Sequence, residues 1–207
     1  MKYTDTIERL AATGPDSWAV YRRARQMIDD GHDVIEMAIG EPDVPTPDPI
    51  IEATVDALRS GRTDYAASAG EWDLRVALAA RYSTRLGRTI SMDQIVCLPG
   101  TQTALYTVLR AIAGPGDEVI VGDPMYATYR PVIASTGASD VAVPLRAEHG
   151  FRMQASDVAA AVTPATTVLL LNTPHNPTGA VLTAHDVHAL GQVAIAHDLW
   201  ILSLIHI

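Results

Sequence analysis

From residue 50 to residue 203 the chain alternates between two hydrophobic rhythms: apolar residues three and four apart, and short unbroken apolar runs. The first rhythm puts a stripe on one face of a helix, and the second suits a strand covered on both faces. The spacing predicts helices over 50–60, 71–86, 101–113, 126–136, 155–161 and 184–197, and strands over 94–98, 117–121, 139–143, 166–171 and 199–203. In the helix 101–113, Ala104, Leu105, Val108, Leu109 and Ile112 share a face, and Gly114 and Pro115 end it. Thr183 is placed to cap 184–197, with Asp186 three residues on as the shortened acid of a capping box. Helices and strands taken by turns predict a layered α/β domain.

Upstream, Trp18, Tyr21, Ala24 and Met27 or Ile28 recur at helical spacing, which predicts an amphipathic helix over 17–30 with Ser17 as N-cap and Gly31 as stop. The apolar stretch Val34 to Ile39 then meets a Pro-rich segment, 40–49, that neither a helix nor a central strand tolerates. The chain changes direction there. No internal repeat or low-complexity segment interrupts the pattern.

Composition narrows the class. With 207 residues, 48% of them hydrophobic and 19% charged, the chain can bury a core and is not expected to be disordered. No run of eighteen apolar residues occurs, and the polar start MKYTDTIERL lacks the apolar centre of a secretory signal, so a cytoplasmic protein is expected. The single cysteine, Cys97, lies in an apolar run and is expected to be a small buried hydrophobe. The histidines show no metal-ligand spacing, so His175 and the others are expected to be structural or solvent-facing, with no metal site. A net charge of −9 argues against nucleic acid or an anionic membrane as partner, because both require a basic face. Any bound anion must therefore be held locally. The basic residues are fourteen Arg and one Lys, Lys2.

Four constellations carry candidate chemistry. Ile39-Gly40-Glu41-Pro42-Asp43 offers a glycine against which a ligand could lie close to backbone, although a surface turn would read the same. Pro99-Gly100-Thr101-Gln102 stands between an apolar run and a helix. Free amides and the positive dipole end at such a helix start favour a phosphate by roughly 0.3 to 1 kcal/mol, while an ordinary strand-to-helix turn stays open as the alternative. Asp123-Pro124-Met125-Tyr126 sets an aromatic ring just past a strand, placed either to stack on a planar ligand or simply to pack. Leu171-Asn172-Thr173-Pro174-His175-Asn176-Pro177-Thr178-Gly179 surrounds an asparagine with prolines. That motif predicts a rigid turn with a cis X-Pro bond and an amide able to bond a phenolate-like oxygen.

In this order and spacing, the four segments resemble fold type I, class I/II aminotransferases of the aspartate aminotransferase superfamily over residues 1–203. The resemblance implies a three-layer α/β/α large domain with a mostly parallel sheet, and pyridoxal 5'-phosphate as cofactor. Its implied domains are an arm and small-domain portion over 1–45, a truncated cofactor-binding large domain over 46–203 and a non-family tail over 204–207. It implies that Gly100, Thr101 and Gln102 cradle the cofactor phosphate, that Tyr126 stacks on its ring and that Asn176 bonds its 3-oxygen. Gly40 would lie against the substrate carboxylate, and Tyr65 would reach the phosphate of a partner subunit in a homodimer. Substrates would be an amino acid and a 2-oxo acid. Asp123 to Tyr129, Gly150 to Ala155 and His197 to Ile201 are similar to arginine–pyruvate transaminase-like members.

The chain departs from the family pattern at its end. Family members follow the strand ending at Ser203 with an Asp that pairs with the cofactor's ring nitrogen, and here that position is Leu204. The last residues, Leu204 to Ile207, resemble translated adapter read-through. The Schiff-base lysine and the C-terminal substrate-binding arginine of the family have no counterpart, so no catalytic residue is expected in this N-terminal fragment. By itself the fragment is expected to be inactive and poorly soluble. Two other implied functions are an aminotransferase-fold lyase (carbon–sulfur cleaving or aminocyclopropane-carboxylate forming) and an aminotransferase-like effector domain of a transcription regulator.

Overall fold

The computed structural model describes residues 3–13 and 18–204. It divides into two compact units, residues 16–101 and residues 1–15 with 102–207. Each is described by itself.

In the larger unit four parallel strands, β1 (Glu118–Asp123), β2 (Ser139–Pro144), β3 (Thr166–Asn172) and β4 (Trp200–Leu204), form one sheet in the order β2-β1-β3-β4. Parallel neighbours need crossover connections. Here these are α6 (Tyr129–Thr136) between β1 and β2, α7 (Ala155–Ala161) between β2 and β3, and α8 (Ala184–Ala196) between β3 and β4, with α5 (Thr101–Ile112) leading into β1. Alternate strand residues feed opposite faces. Val119, Val121, Val168 and Leu170 pack with Leu105 and Leu109 of α5 and Val132 and Ile133 of α6. Ile120, Leu169 and Leu171 pack with Val158 of α7 and Leu190 of α8. The central strands are thus covered on both sides, giving the three-layer α/β/α arrangement and explaining why they read as unbroken apolar runs.

Local signals explain where these elements stop. Gly137 ends α6 with φ 97°, and Thr183 caps α8 in a reciprocal box with Asp186. β4 runs one residue past the expected boundary, where Leu204 pairs with Asn172 and packs against the first core cluster. A short helix, α1 (Asp5–Ala11), was not expected; the Arg9 Nε donates to the Ala134 carbonyl of α6 at 3.4 Å, so its support is non-local.

The other unit holds α2 (Ala19–Asp29), α3 (Asp48–Arg59), α4 (Trp72–Leu86) and a 3-10 turn over Met92–Gln94. Gly31 follows α2 at φ 85°, the left-handed stop expected there, whereas Ser17 lies outside the described residues. The expected strand 94–98 does not form. Within it the Ile95 carbonyl accepts from Arg75 Nε at 2.9 Å, and Arg75 Nη2 donates to the Met92 carbonyl just before the run, also at 2.9 Å. One backbone bond, Cys97 N–H to Ala69 O at 2.9 Å, replaces a ladder. Cys97 is accordingly half-buried against Gly70 instead of buried in a sheet. Among the described residues 18–101 only Gly70 and Ala79 are buried, and Ile35 and Met37 are 86% and 89% exposed.

Candidate functional site

The C-terminal ends of β1 and β3 lie side by side, because these strands are neighbours in the sheet. In parallel α/β sheets this edge is where ligands are taken. Two loops leave it, 124–128 after β1 and 173–183 after β3.

The first loop carries Tyr126. The helix expected over 126–136 begins only at Tyr129, since a single turn comes first, closed by Tyr129 N–H to Tyr126 O at 3.0 Å. That delay leaves the Tyr126 ring 40% exposed, while Tyr129 folds under it at 5% exposure. The two rings meet edge to face, with centroids 5.6 Å apart and planes at 66°. Thr128 in the same loop donates its hydroxyl to Gln102 Oε1 at 2.9 Å, which fixes the first turn of α5 to this loop.

The second loop carries Asn176. Thr173-Pro174 and Asn176-Pro177 are both cis, as is Asp123-Pro124 in the first loop. The loop closes on itself through His175 N–H to Ala180 O and Gly179 N–H to His175 O, each 2.7 Å. The Thr178 N–H points at Nδ1 of His175, so Nδ1 is an acceptor and also takes the Thr178 hydroxyl at 2.7 Å. Burial lowers the His175 pKa, and its contacts give the ring a structural role inside the turn. Asn176 is exposed, and its side-chain amide has no partner among the described residues.

Beneath both loops lies Asn172, the last residue of β3. With its amide oriented to match donors to acceptors, Oδ1 accepts from the Tyr129 hydroxyl at 3.0 Å and from the Asn176 N–H at 3.1 Å, and Nδ2 donates to Pro174 O at 3.1 Å. Desolvation by burial, with the Tyr126 phenol adding to it, pushes the Tyr129 pKa up to about 12, so this hydroxyl stays a donor. Gln102, Tyr126 and Asn176 therefore belong to one continuous chain of contacts at a single sheet edge. Neither Asn172, Tyr129 nor Thr128 had been given a role from sequence. The available signal was a second aromatic three residues after Tyr126, and a polar residue closing an otherwise apolar strand.

The other expected residues belong to the 16–101 unit. Gly100 adopts φ 84° immediately before α5, with nothing within 4 Å of where a Cβ would stand, and Thr101 begins the helix. Gly40 is exposed and equally uncrowded, and Tyr65 is fully exposed. Together the three residues of the larger unit offer an aromatic face, an unengaged amide and the start of a helix. This set suits a flat, anionic ligand.

Comparison with known proteins agrees with this chemistry. Residues 32–203 match the family aminotransferase class I and II. The chain is 43% identical over 203 residues to the arginine–pyruvate transaminase of Pseudomonas aeruginosa, covering 98% of this chain and 52% of that one. It is 34% identical over 198 residues to the aspartate aminotransferase of Musicola paradisiaca, covering 95% and 49%. Among solved structures, the aspartate aminotransferase of Thermus thermophilus with maleate superposes with a TM-score of 0.89 at 36% identity, over 98% of this chain and 53% of that one. The chain thus spans about half the length of these relatives. No helix among the described residues is long and apolar enough to cross a membrane.

Proposed function

Because this chain belongs to the class I and II aminotransferases, we propose that the protein it represents is a pyridoxal-phosphate-dependent transaminase, moving an amino group between an amino acid and a 2-oxo acid in the cytoplasm. The observation that carries this reading is the joining of Gln102, Tyr126 and Asn176 through Thr128, Tyr129 and Asn172 at the ends of adjacent strands.

The residues present fit three parts of that cofactor. Tyr126 offers a half-open ring to its face, the Asn176 amide offers a donor to its 3-oxygen, and Gln102 in the first turn of α5 offers an amide to its phosphate, to which Gly100 and Thr101 are also assigned. A fourth part is not met, since Leu204 carries no carboxylate for the ring nitrogen. When bound, the cofactor supplies an electron sink for the bond being broken at the substrate's α-carbon. The chain's own task is to fix the ring's tilt and to hold the 3-oxygen. Gly40 is assigned to the substrate carboxylate, and Tyr65 to the phosphate of a partner subunit in a homodimer. Residues 1–45 are assigned to an arm and small-domain portion, and 46–203 to the large domain.

Lys2 is the single lysine of the 207 residues and lies outside the described residues. This polypeptide by itself is therefore expected to be inactive as a transaminase. Two measurements test the proposal: amino-donor-dependent conversion of a 2-oxo acid by the protein expressed from its whole reading frame, with arginine and pyruvate as the first pair, and the same assay on the 207-residue chain. Release of ammonia or sulfide with no nitrogen transferred would assign a lyase instead. Turnover by the 207-residue chain would overturn the expected inactivity.

A further inference from the structure

We infer that Asn172 is a positioning residue that sets the geometry of both cofactor-facing loops at once. One side chain holds three groups that no other side chain among the described residues connects: the Tyr129 hydroxyl, the Asn176 backbone N–H and the Pro174 carbonyl. Its anchorage is firm, because Asn172 closes β3 and pairs with Leu204 of β4. Its contacts lead in two directions. Through Tyr129 it reaches Tyr126, whose ring leans on Tyr129 edge to face. Through the Asn176 N–H it fixes the backbone from which the unpartnered Asn176 amide projects.

Oδ1 accepts both donors together, so the ring after β1 and the amide after β3 are referenced to a single atom. A shift of either loop alone would lengthen one of two bonds of 3.0 and 3.1 Å. The nearby alternatives do not do this. Thr173, buried, accepts from the Leu182 N–H at 2.9 Å, and among the described residues His175 bonds only within its own turn. Asn172 thus pre-sets the distance between a stacking face and a hydrogen-bond donor, and a flat ligand meets both without rearranging either loop. This inference rests on the reading of Tyr126 and Asn176 as cofactor contacts.

The test uses the 207-residue chain and pyridoxamine phosphate, which needs no lysine to bind. Asn172→Leu, similar in size but unable to accept or donate, is expected to weaken binding about tenfold, the equivalent of one hydrogen bond. It is also expected to speed hydrogen exchange at the Asn176 amide in the unliganded chain. Asn172→Asp keeps both acceptor contacts but sets an acceptor oxygen against the Pro174 carbonyl, so it is expected to recover part of the exchange protection at Asn176, a rescue that bulk packing would not give. Should Asn172→Leu fail to fold, Tyr129→Phe removes only the hydroxyl and is expected to weaken binding while leaving exchange at Asn176 in place. Unchanged affinity in Asn172→Leu, or in Tyr129→Phe where it replaces that arm, alongside lost affinity in Asn176→Ala, overturns the positioning role alone. No binding by the unaltered chain overturns the cofactor reading, and the positioning role with it.

Discussion

The Thr128 hydroxyl donates to Gln102 Oε1 across 2.9 Å, fastening the first turn of α5 to the loop that carries Tyr126. The bond is exposed, so it contributes little to folding. Its value lies in holding a helix start and an aromatic ring in a fixed relation. Thr128→Val is therefore expected to cost under about 1 kcal/mol of stability while weakening pyridoxamine phosphate binding several-fold. Thermal unfolding and calorimetric titration of the same samples check both halves. A large loss of stability with unaltered affinity would show the bond to be structural only.

At the start of α8, on the sheet's second face, Arg152 Nη1 donates to Asp186 Oδ2 at 2.6 Å, and Thr183 donates to the same oxygen from its backbone N–H at 2.8 Å and its hydroxyl at 2.7 Å. Burial alone would raise the Asp186 pKa, but the bonds from Thr183 and Arg152 outweigh it and the net shift is downward. A depressed carboxylate contributes stability that is present above its unfolded pKa and lost as pH falls through its folded one. Acid is thus expected to lower the urea midpoint of the chain more steeply than that of Asp186→Asn. Parallel slopes for the two proteins would contradict this. Thr183→Ala, which removes the cap, is expected to cost about 1 kcal/mol at neutral pH.

Gly70 sits at φ 102°, and a Cβ built there would stand 2.6 Å from Cys97 Cβ. Backbone strain and overlap act together, so Gly70→Ala is expected to destabilise by roughly 1 to 3 kcal/mol. Chemical denaturation of Gly70→Ala beside Gly70→Ala/Cys97→Gly separates the two causes. The double variant should recover the share due to overlap and leave the share due to φ.

Much of the fold was legible because its signals are local. Apolar runs bounded by Gly, Pro or Asp gave β1 to β4 to within two residues, and Thr183 with Asp186 marked the start of α8. What failed was non-local. The run 94–98 has strand composition, but a strand exists only beside a partner, and here the Ile95 carbonyl goes to Arg75 and the Cys97 N–H to a single carbonyl, Ala69 O. The short polar helix α1 depends on a contact with Ala134, far along the chain. The same division holds at the site. Tyr126 and Asn176 stood out by motif, while Asn172 and Tyr129 matter only because folding brings two loops over one strand end.

Tyr129 gives the sharpest alkaline expectation. Its pKa is pushed up to about 12 from 10.0, first by burial and then by the neighbouring Tyr126. A group whose pKa is raised on folding contributes stability that is fully present below the unfolded pKa. As pH climbs from 10.0 the unfolded chain gives up the proton while the folded one keeps it, so stability falls until about 12 and then levels. The unaltered chain should therefore lose more stability across that window than Tyr129→Phe, measured by urea unfolding at stepped pH. Absorbance of the phenolates gives a second check, because of seven tyrosines one should ionise well after the exposed ones, and Tyr129→Phe should abolish that late step. If the late step persists in Tyr129→Phe, another phenol is the buried one, and the bond from Tyr129 to Asn172 is not the donor described above.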